Sequence, residues 1–302
     1  MEHIFIINPS AGQGKAAKLI PQIEAVLEGT EYQYSIYTTT SAGDAERFVR
    51  ETCETGKEVR FYVCGGDGSF HEAVNGTKGF PNTEIGLLPV GTGNDFVRNF
   101  GGKKRFLELE HITDGEEITI DLIKANDYIC ANMINIGFDA SVVTRVEQLR
   151  SLPFMGHSIA YTVGLVIQLL RFPKEQMRMS VNGESFDRRF LLTYIANGQY
   201  CGGGYRSASK AKLDDGLLDV MSVNPLSRLQ FVGLVGSYKK GTLLDNEKLK
   251  HLYQFYKIET ITFEKDTPFE ACLDGEMCPF TKLSISVMKN AMRLRIPKGE
   301  KR

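Results

Sequence analysis

Cys64-Gly65-Gly66-Asp67-Gly68-Ser69 lies between an apolar run, Val59-Arg60-Phe61-Tyr62-Val63, and a helical opening, Phe70-His71-Glu72-Ala73-Val74-Asn75. The order is strand, glycine turn, helix. Adjacent glycines let a backbone approach a ligand closely and turn its N–H groups inward, and a following helix N-terminus adds positive potential, so this turn suits phosphate. Asp67 facing phosphate would repel it unless a divalent cation lay between them, which points to a nucleoside triphosphate with Mg²⁺. Two plainer readings compete: an ordinary strand-to-helix turn, and Asp67 as the cap of the helix, a role Ser69 could fill equally well.

Two more segments repeat the pattern. His3-Ile4-Phe5-Ile6-Ile7 reads as a first strand and runs into Asn8-Pro9-Ser10-Ala11-Gly12-Gln13-Gly14-Lys15 before a helical stretch. It is not a Walker A loop, because Pro9 stands where that motif needs glycine and Ala16 where it needs Ser or Thr. Gly86-Leu87-Leu88-Pro89-Val90-Gly91-Thr92-Gly93-Asn94-Asp95 is again apolar strand followed by a glycine turn. In an open parallel sheet the carboxyl ends of the strands share one edge, so the three turns can converge on one ligand.

Strand and helix alternate up to about Leu122, with helical spacing in Ala45, Phe48, Val49 and Cys53 and a cap available from Asp44 or Ser41. Residues 1–122 are therefore expected to form an α/β nucleotide-binding domain on a parallel sheet. From Glu117 onward alternating strands close at Asn126-Asp127, Asn182-Gly183 and Asp274-Gly275, dipeptides that favour tight hairpins. Residues 123–302 are expected to be mostly antiparallel β, interrupted by helices at Ala140–Gln148, Ser158–Leu170 and Ser227–Tyr238. The default site is the cleft between the two domains.

Composition narrows the class. The 302 residues carry a net charge of -1 and a pI near 6.5, which gives no electrostatic case for nucleic acid. Local basic groups, Lys103-Lys104-Arg105, Arg188-Arg189, Lys239-Lys240 and the tail from Lys298, read first as solvated faces. They could add about 1 kcal/mol per residue toward anionic lipid. Six cysteines form no Cys-x-x-Cys pair and several fall in apolar strand patterns, the usage of a reducing compartment. The N-terminus reads as a strand and not a signal peptide, and the longest apolar segment, Ile159–Leu170, is shorter than the ~20 residues that span a bilayer. These features predict a cytoplasmic protein without a transmembrane segment.

Asn8-Pro9-x-x-Gly12, Gly65-Gly66-Asp67-Gly68-Ser69 and Pro89-x-Gly91-Thr92-x-Asn94-Asp95, taken in order, resemble the diacylglycerol kinase-like lipid kinases, particularly the soluble bacterial branch. The resemblance continues through Gly202-Gly203-Gly204, Ala211 to Asp219 and Leu273-Asp274-Gly275-Glu276, and so covers nearly the whole chain. The glycine-aspartate motif alone is shared with NAD kinases and more loosely with phosphofructokinases, and the resemblance implies a phosphofructokinase-like α/β domain. It implies ATP as donor, a lipid hydroxyl as acceptor, with diacylglycerol as first guess and phosphatidylglycerol or a sphingoid base as alternatives, and peripheral attachment to a membrane; a homodimer is admissible. The rival reading is a nucleotide-binding regulator without catalysis, against which Asp67, Asp95, Asp121 and Glu276 together argue.

Residue by residue, the resemblance implies nucleotide contacts from Asn8, Gly12, Thr39, Gly65, Gly66, Asp67, Gly68, Ser69, Glu72 and Thr92, with Asp67 acting through Mg²⁺. Glu276 becomes the general base on the lipid hydroxyl; without the resemblance it reads as a solvated hairpin residue. Asp95 and Asp121 become members of a water-linked network around the catalytic metal. A structural Mg²⁺ would take Asp215 and the carbonyls of Lys212 and Leu217, an oxygen-only set suited to a hard cation. The residues themselves do not choose Asp215 over Asp214. Three positions depart from the family pattern: Ser69 in place of Thr, His71 where Asn is common, and Ser209 where Pro is common, the last expected to loosen a turn.

Overall fold

The computed structural model describes residues 1–150 and 174–299, with Val163, Ile167, Gln168, Arg171 and Phe172 between them. The helix expected at Ser158–Leu170 lies almost wholly outside the described residues. The first half alternates as its periodicity demands: β1 (Glu2–Ile7), α1 (Ile20–Leu27), β2 (Tyr34–Thr38), α2 (Asp44–Glu54), β3 (Val59–Gly65), α3 (Asp67–Gly76) and β4 (Thr83–Pro89). The four strands are parallel in the order β4-β3-β1-β2. Every residue of β3 and β4 is buried, the mark of a sheet covered on both faces. Alternate side chains go to opposite layers: Ile4, Ile6, Phe61 and Val63 pack with Val49, Cys53, Ala73 and Val74 of α2 and α3, while Phe5, Ile7, Tyr62 and Cys64 pack with Ile23 and Leu27 of α1. Short helices α4 (Lys103–Phe106) and α5 (His111–Asp114) then lead into β5 (Glu116–Ala125).

The second half is antiparallel. It comprises β6 (Tyr128–Cys130), β7 (Met133–Gly137), α6 (Phe138–Arg150), β8 (Glu175–Val181), β9 (Glu184–Phe190), β10 (Leu192–Ala196), β11 (Leu218–Val223), α7 (Arg228–Lys240), β12 (Tyr253–Ile258), β13 (Thr260–Leu273) and β14 (Glu276–Ile296). Its spine runs β12-β11-β10-β7-β13-β14, with β8–β9 attached through β13 and β5–β6 through β14. All three dipeptides lie in hairpin turns, β5–β6, β8–β9 and β13–β14. Asn182-Gly183 and Asp274-Gly275 have φ of 49° and 92°, and 50° and 106°, the paired left-handed backbone of a tight two-residue turn.

β14 links the two halves. It leaves β13, pairs antiparallel with β5, and its residues Arg293–Arg295 lie parallel to Glu84–Gly86 of β4. The division expected at residue 122 is therefore crossed: the last turns of β14 complete the first sheet. A register shift between Met288 and Met292, with Asn290 at φ 50°, bends the strand where it passes from one sheet to the other.

Candidate active site

The carboxyl ends of β1, β3 and β4 stand side by side, with Ile7 opposite Cys64 and Gly65 opposite Pro89, so the three glycine turns meet as the parallel sheet requires. Their closeness depends on missing side chains. A Cβ on Gly91 would stand 2.5 Å from Gly66 Cα, one on Gly65 2.5 Å from Ser69 Oγ, and one on Gly12 2.2 Å from the Val90 carbonyl oxygen. Gly12 also has φ 62°, so both space and backbone exclude other residues. Asn8 Nδ2 donates to Ser69 Oγ (2.9 Å), and the Val90 and Gly91 N–H groups both donate to Gly65 O. Thr39 is buried beside Ile7, whose carbonyl receives both its N–H and its hydroxyl, while Thr92 is exposed on the third turn.

Asp67 is the first residue of α3, after Gly66, and its side chain does not cap that helix. Its Oδ1 instead accepts the N–H groups of Asp95 (2.9 Å) and Phe96 (3.4 Å), tying the second glycine turn to the third. Burial, then the neighbouring Asp95 carboxylate, pushes the Asp67 pKa up to about 6. Asp95 is buried too, which raises its own pKa; its Oδ2 accepts Gly203 N–H (2.8 Å) and its Oδ1 lies 3.2 Å from Arg98 Nε. Gly203 belongs to the Gly202-Gly203-Gly204 run, so the second half reaches directly onto this carboxylate. A Cβ at Gly93 would stand 2.8 Å from Asp67 Oδ2, so the space beside that oxygen exists because residue 93 is glycine. Two close carboxylates, Asp95 buried and Asp67 partly so with a cleared oxygen, fit a divalent cation both in charge and in donor type.

Glu276 opens β14 on the exposed tip of the β13–β14 hairpin, and its Oε1 comes over the first turn of α3: a methyl at Gly68 would stand 3.5 Å from it. The hairpin is fixed by Asp274, which from sequence reads only as a turn residue. Asp274 Oδ1 accepts Asn132 N–H (3.1 Å) and Met133 N–H (2.8 Å), and Oδ2 accepts Ala131 N–H (2.6 Å). His71, one turn along α3, faces it with Nδ1 3.7 Å from Asp274 Oδ2. Burial opposes a charge on His71, but Asp274 and Glu276 outweigh it and its pKa is raised.

Three expected positions have other local work. The Glu72 carboxylate accepts Gly43 N–H (2.9 Å) and Ala45 N–H (3.1 Å) and thus closes the N-terminus of α2, the task expected of Asp44 or Ser41. Asp121 has both oxygens on backbone donors, Gly216 N–H (2.7 Å) and Asn290 N–H (2.8 Å), so it clamps the 212–217 loop to the bend in β14. Ser209 donates to Gly241 O (2.6 Å) at the end of α7, which anchors the turn that was expected to be loose.

In the 212–217 loop Asp214 is exposed, whereas Asp215 Oδ1 accepts Leu217 N–H (3.2 Å). Lys257 Nζ lies 3.0 Å from Asp215 Oδ2 and 2.9 Å from Asp219 Oδ1, a buried carboxylate otherwise without a partner. The excess of carboxylate fits a hard cation here, which would compete with Lys257 for Asp215.

Residues 2–125 match the diacylglycerol kinase catalytic domain, and residues 132–296 match the YegS C-terminal NAD kinase beta sandwich-like domain. The chain is 28% identical to a "Probable lipid kinase YegS-like" of Alcanivorax borkumensis over 273 residues, covering 89% of this chain and 88% of that protein. It is 24% identical to a "Diacylglycerol kinase" of Staphylococcus carnosus, over 98% of this chain and 95% of that one. In fold it is similar to a crystal structure of a diacylglycerol kinase from Bacillus anthracis, with a TM-score of 0.73 at 21% identity over 98% of this chain and 96% of the other. With the two domains matched in order across nearly all its length, the chain belongs to the diacylglycerol kinase-like lipid kinase family, alongside the bacterial YegS-like proteins.

Proposed function

We propose that this protein transfers the γ-phosphoryl group of ATP to a lipid hydroxyl, with diacylglycerol as acceptor and phosphatidic acid as product. The observation that carries the reading is the approach of the Glu276 carboxylate to Gly68, which sets a base beside the turn that would hold the triphosphate. The loose transition state of phosphoryl transfer asks the protein mainly to position the reactants and neutralise charge. N–H groups of the Gly65–Ser69 turn and of Thr92-Gly93 would face the phosphates, and Asn8, Gly12, Thr39 and Thr92 would stand around them. Asp67 with Asp95 would hold Mg²⁺, which would supply charge neutralisation at the phosphates. Glu276 would accept the acceptor's hydroxyl proton as the new O–P bond forms.

Among the described residues no helix is long and apolar enough to cross a membrane. We place the protein at the membrane surface, reached from the cytoplasm. The test is transfer of label from γ-labelled ATP to vesicles containing diacylglycerol, phosphatidylglycerol and a sphingoid base together. Labelled phosphatidic acid is the expected product. Label on another lipid moves the acceptor assignment, and no lipid labelling at any Mg²⁺ concentration refutes the kinase reading.

A further inference from the structure

His71, Cys130 and Asp274 are far apart in sequence, yet one ligand atom from each lies within 4.8 Å of the others. The three come from α3, β6 and the β13–β14 turn. Cys130 is fully buried, and the side chains of His71 and Asp274 are 11% and 7% exposed. Such a group should be internally satisfied, and this one is not. His71 Nδ1 is buried without a hydrogen-bond partner, and 3.7 Å from Asp274 Oδ2 is too long for a hydrogen bond. On the other side of the ring, Asn75 Nδ2 lies 3.4 Å from Nε2 but donates to the carbonyls of His71 and Ile129, both at 2.9 Å.

The 3.7 Å between His71 Nδ1 and Asp274 Oδ2 has a chemical match, and the Cys130 thiol lies within 4.8 Å of a ligand atom of each. Zinc bonds of about 2.0–2.3 Å in a tetrahedron separate neighbouring ligand atoms by about 3.3–3.7 Å. From the spacing, the orphaned imidazole nitrogen and the mixed N, S, O donor set, we infer that His71, Cys130 and Asp274 form a binding site for a thiophilic divalent cation of the Zn²⁺ type. Thiolate and imidazole together select such an ion over Mg²⁺. A +2 ion with one thiolate and one carboxylate is neutral, which suits a buried site. Binding replaces the Cys130 S–H proton by the metal and displaces any proton held on the ligating nitrogen of His71, both leaving to solvent. The three backbone N–H donors on Asp274 hold the carboxylate in place as an outer shell does. A fourth position is left for water, and the turn above it is exposed at Gly275, which gives an entry route. The occupied site would pin the hairpin that carries Glu276 to the helix that carries Asp67.

This site does not depend on the phosphoryl-transfer reading, and its test needs no turnover. Metal-free full-length protein is titrated with Co²⁺ in excess Mg²⁺, and then with Zn²⁺ in competition. One equivalent should bind, with a thiolate-to-cobalt charge-transfer band, the intense visible bands of tetrahedral cobalt, release of about one to two protons (the thiol's, and that of His71 where it is protonated), and loss of the bands on Zn²⁺ addition. Because even loss of an outer-shell partner costs 10–100-fold in affinity, His71→Asn should weaken binding by more than about 100-fold. It introduces the residue common at this position in the family, so it is expected to fold; Cys130→Ser should abolish the charge-transfer band. Absence of stoichiometric binding, or binding unchanged in His71→Asn with native circular dichroism, overturns the inference.

Discussion

Replacing Asp67 by Asn should make the metal-free protein more stable while removing its activity. The native pKa of Asp67 is raised from the ordinary 3.8 to about 6, by burial first and Asp95 second. A raised acid pKa means that the folded state holds the proton more tightly than the unfolded chain, so wild-type stability falls as pH climbs through that window and stays reduced above it. About two pKa units at 1.36 kcal/mol each give an upper bound of about 3 kcal/mol. Asp67 is only partly buried, so solvent screening leaves about 1–2 kcal/mol. Asparagine keeps an oxygen for the Asp95 and Phe96 N–H groups and removes only the charge. Urea unfolding of both proteins in EDTA, at about pH 4 and about pH 8, isolates the effect. The variant should match wild type at the lower pH and exceed it by about 1–2 kcal/mol at the higher, and saturating Mg²⁺ should narrow the gap by stabilising wild type alone. Equal effects at both pH values, or destabilisation at pH 8, would refute the argument that an uncompensated carboxylate awaits a cation there.

On the acceptor side, Glu276→Gln should lower lipid turnover by at least ~100-fold and change ATP affinity by less than about threefold, measured by steady-state phosphorylation and calorimetric titration of one preparation; near-normal turnover returns Glu276 to an ordinary hairpin residue. Gly91→Ala drives a methyl against the Gly66 backbone and should cost about 1–3 kcal/mol in thermal or urea unfolding. Gly93→Ala instead crowds Asp67 Oδ2, so it should weaken Mg²⁺-dependent nucleotide binding in calorimetry while Mg²⁺-free binding changes little. At the 212–217 loop, Mg²⁺ should raise the melting temperature of wild type, and raise it more in Lys257→Met, where its competitor for Asp215 is gone. No Mg²⁺ response in either protein would argue against a structural ion.

What could be read from the sequence follows the range over which each signal acts. Hairpins at Asn182-Gly183 and Asp274-Gly275 were legible because left-handed backbone is a local demand that few residue pairs meet. The parallel sheet was legible because strand and helix alternate and the glycine turns repeat at the strand ends. The return of β14 to β4 was not, since Arg293-Leu294-Arg295 alternates like any half-exposed strand and nothing in it names a partner. Carboxylates divided in the same way. Asp67 stands out because it sits inside a glycine motif, whereas Asp274 looks like turn chemistry alone, and its three N–H partners come from residues 131–133. Glu72 neighbours the motif in sequence, while its carboxylate turns to the start of α2, a partnership that nothing local announces.

The path of β14 also sets a schedule for synthesis. On the ribosome β1 to β4 emerge first and hold enough apolar surface to collapse, yet β4 keeps one edge without its neighbour until Arg293–Arg295 arrive, after the entire antiparallel half has been made. An unpaired buried-type strand edge is a template for pairing with other chains. The nascent N-terminal half is thus exposed to edge-to-edge association during most of translation, and chains that stop before residue 293 should be the ones that aggregate or draw chaperones.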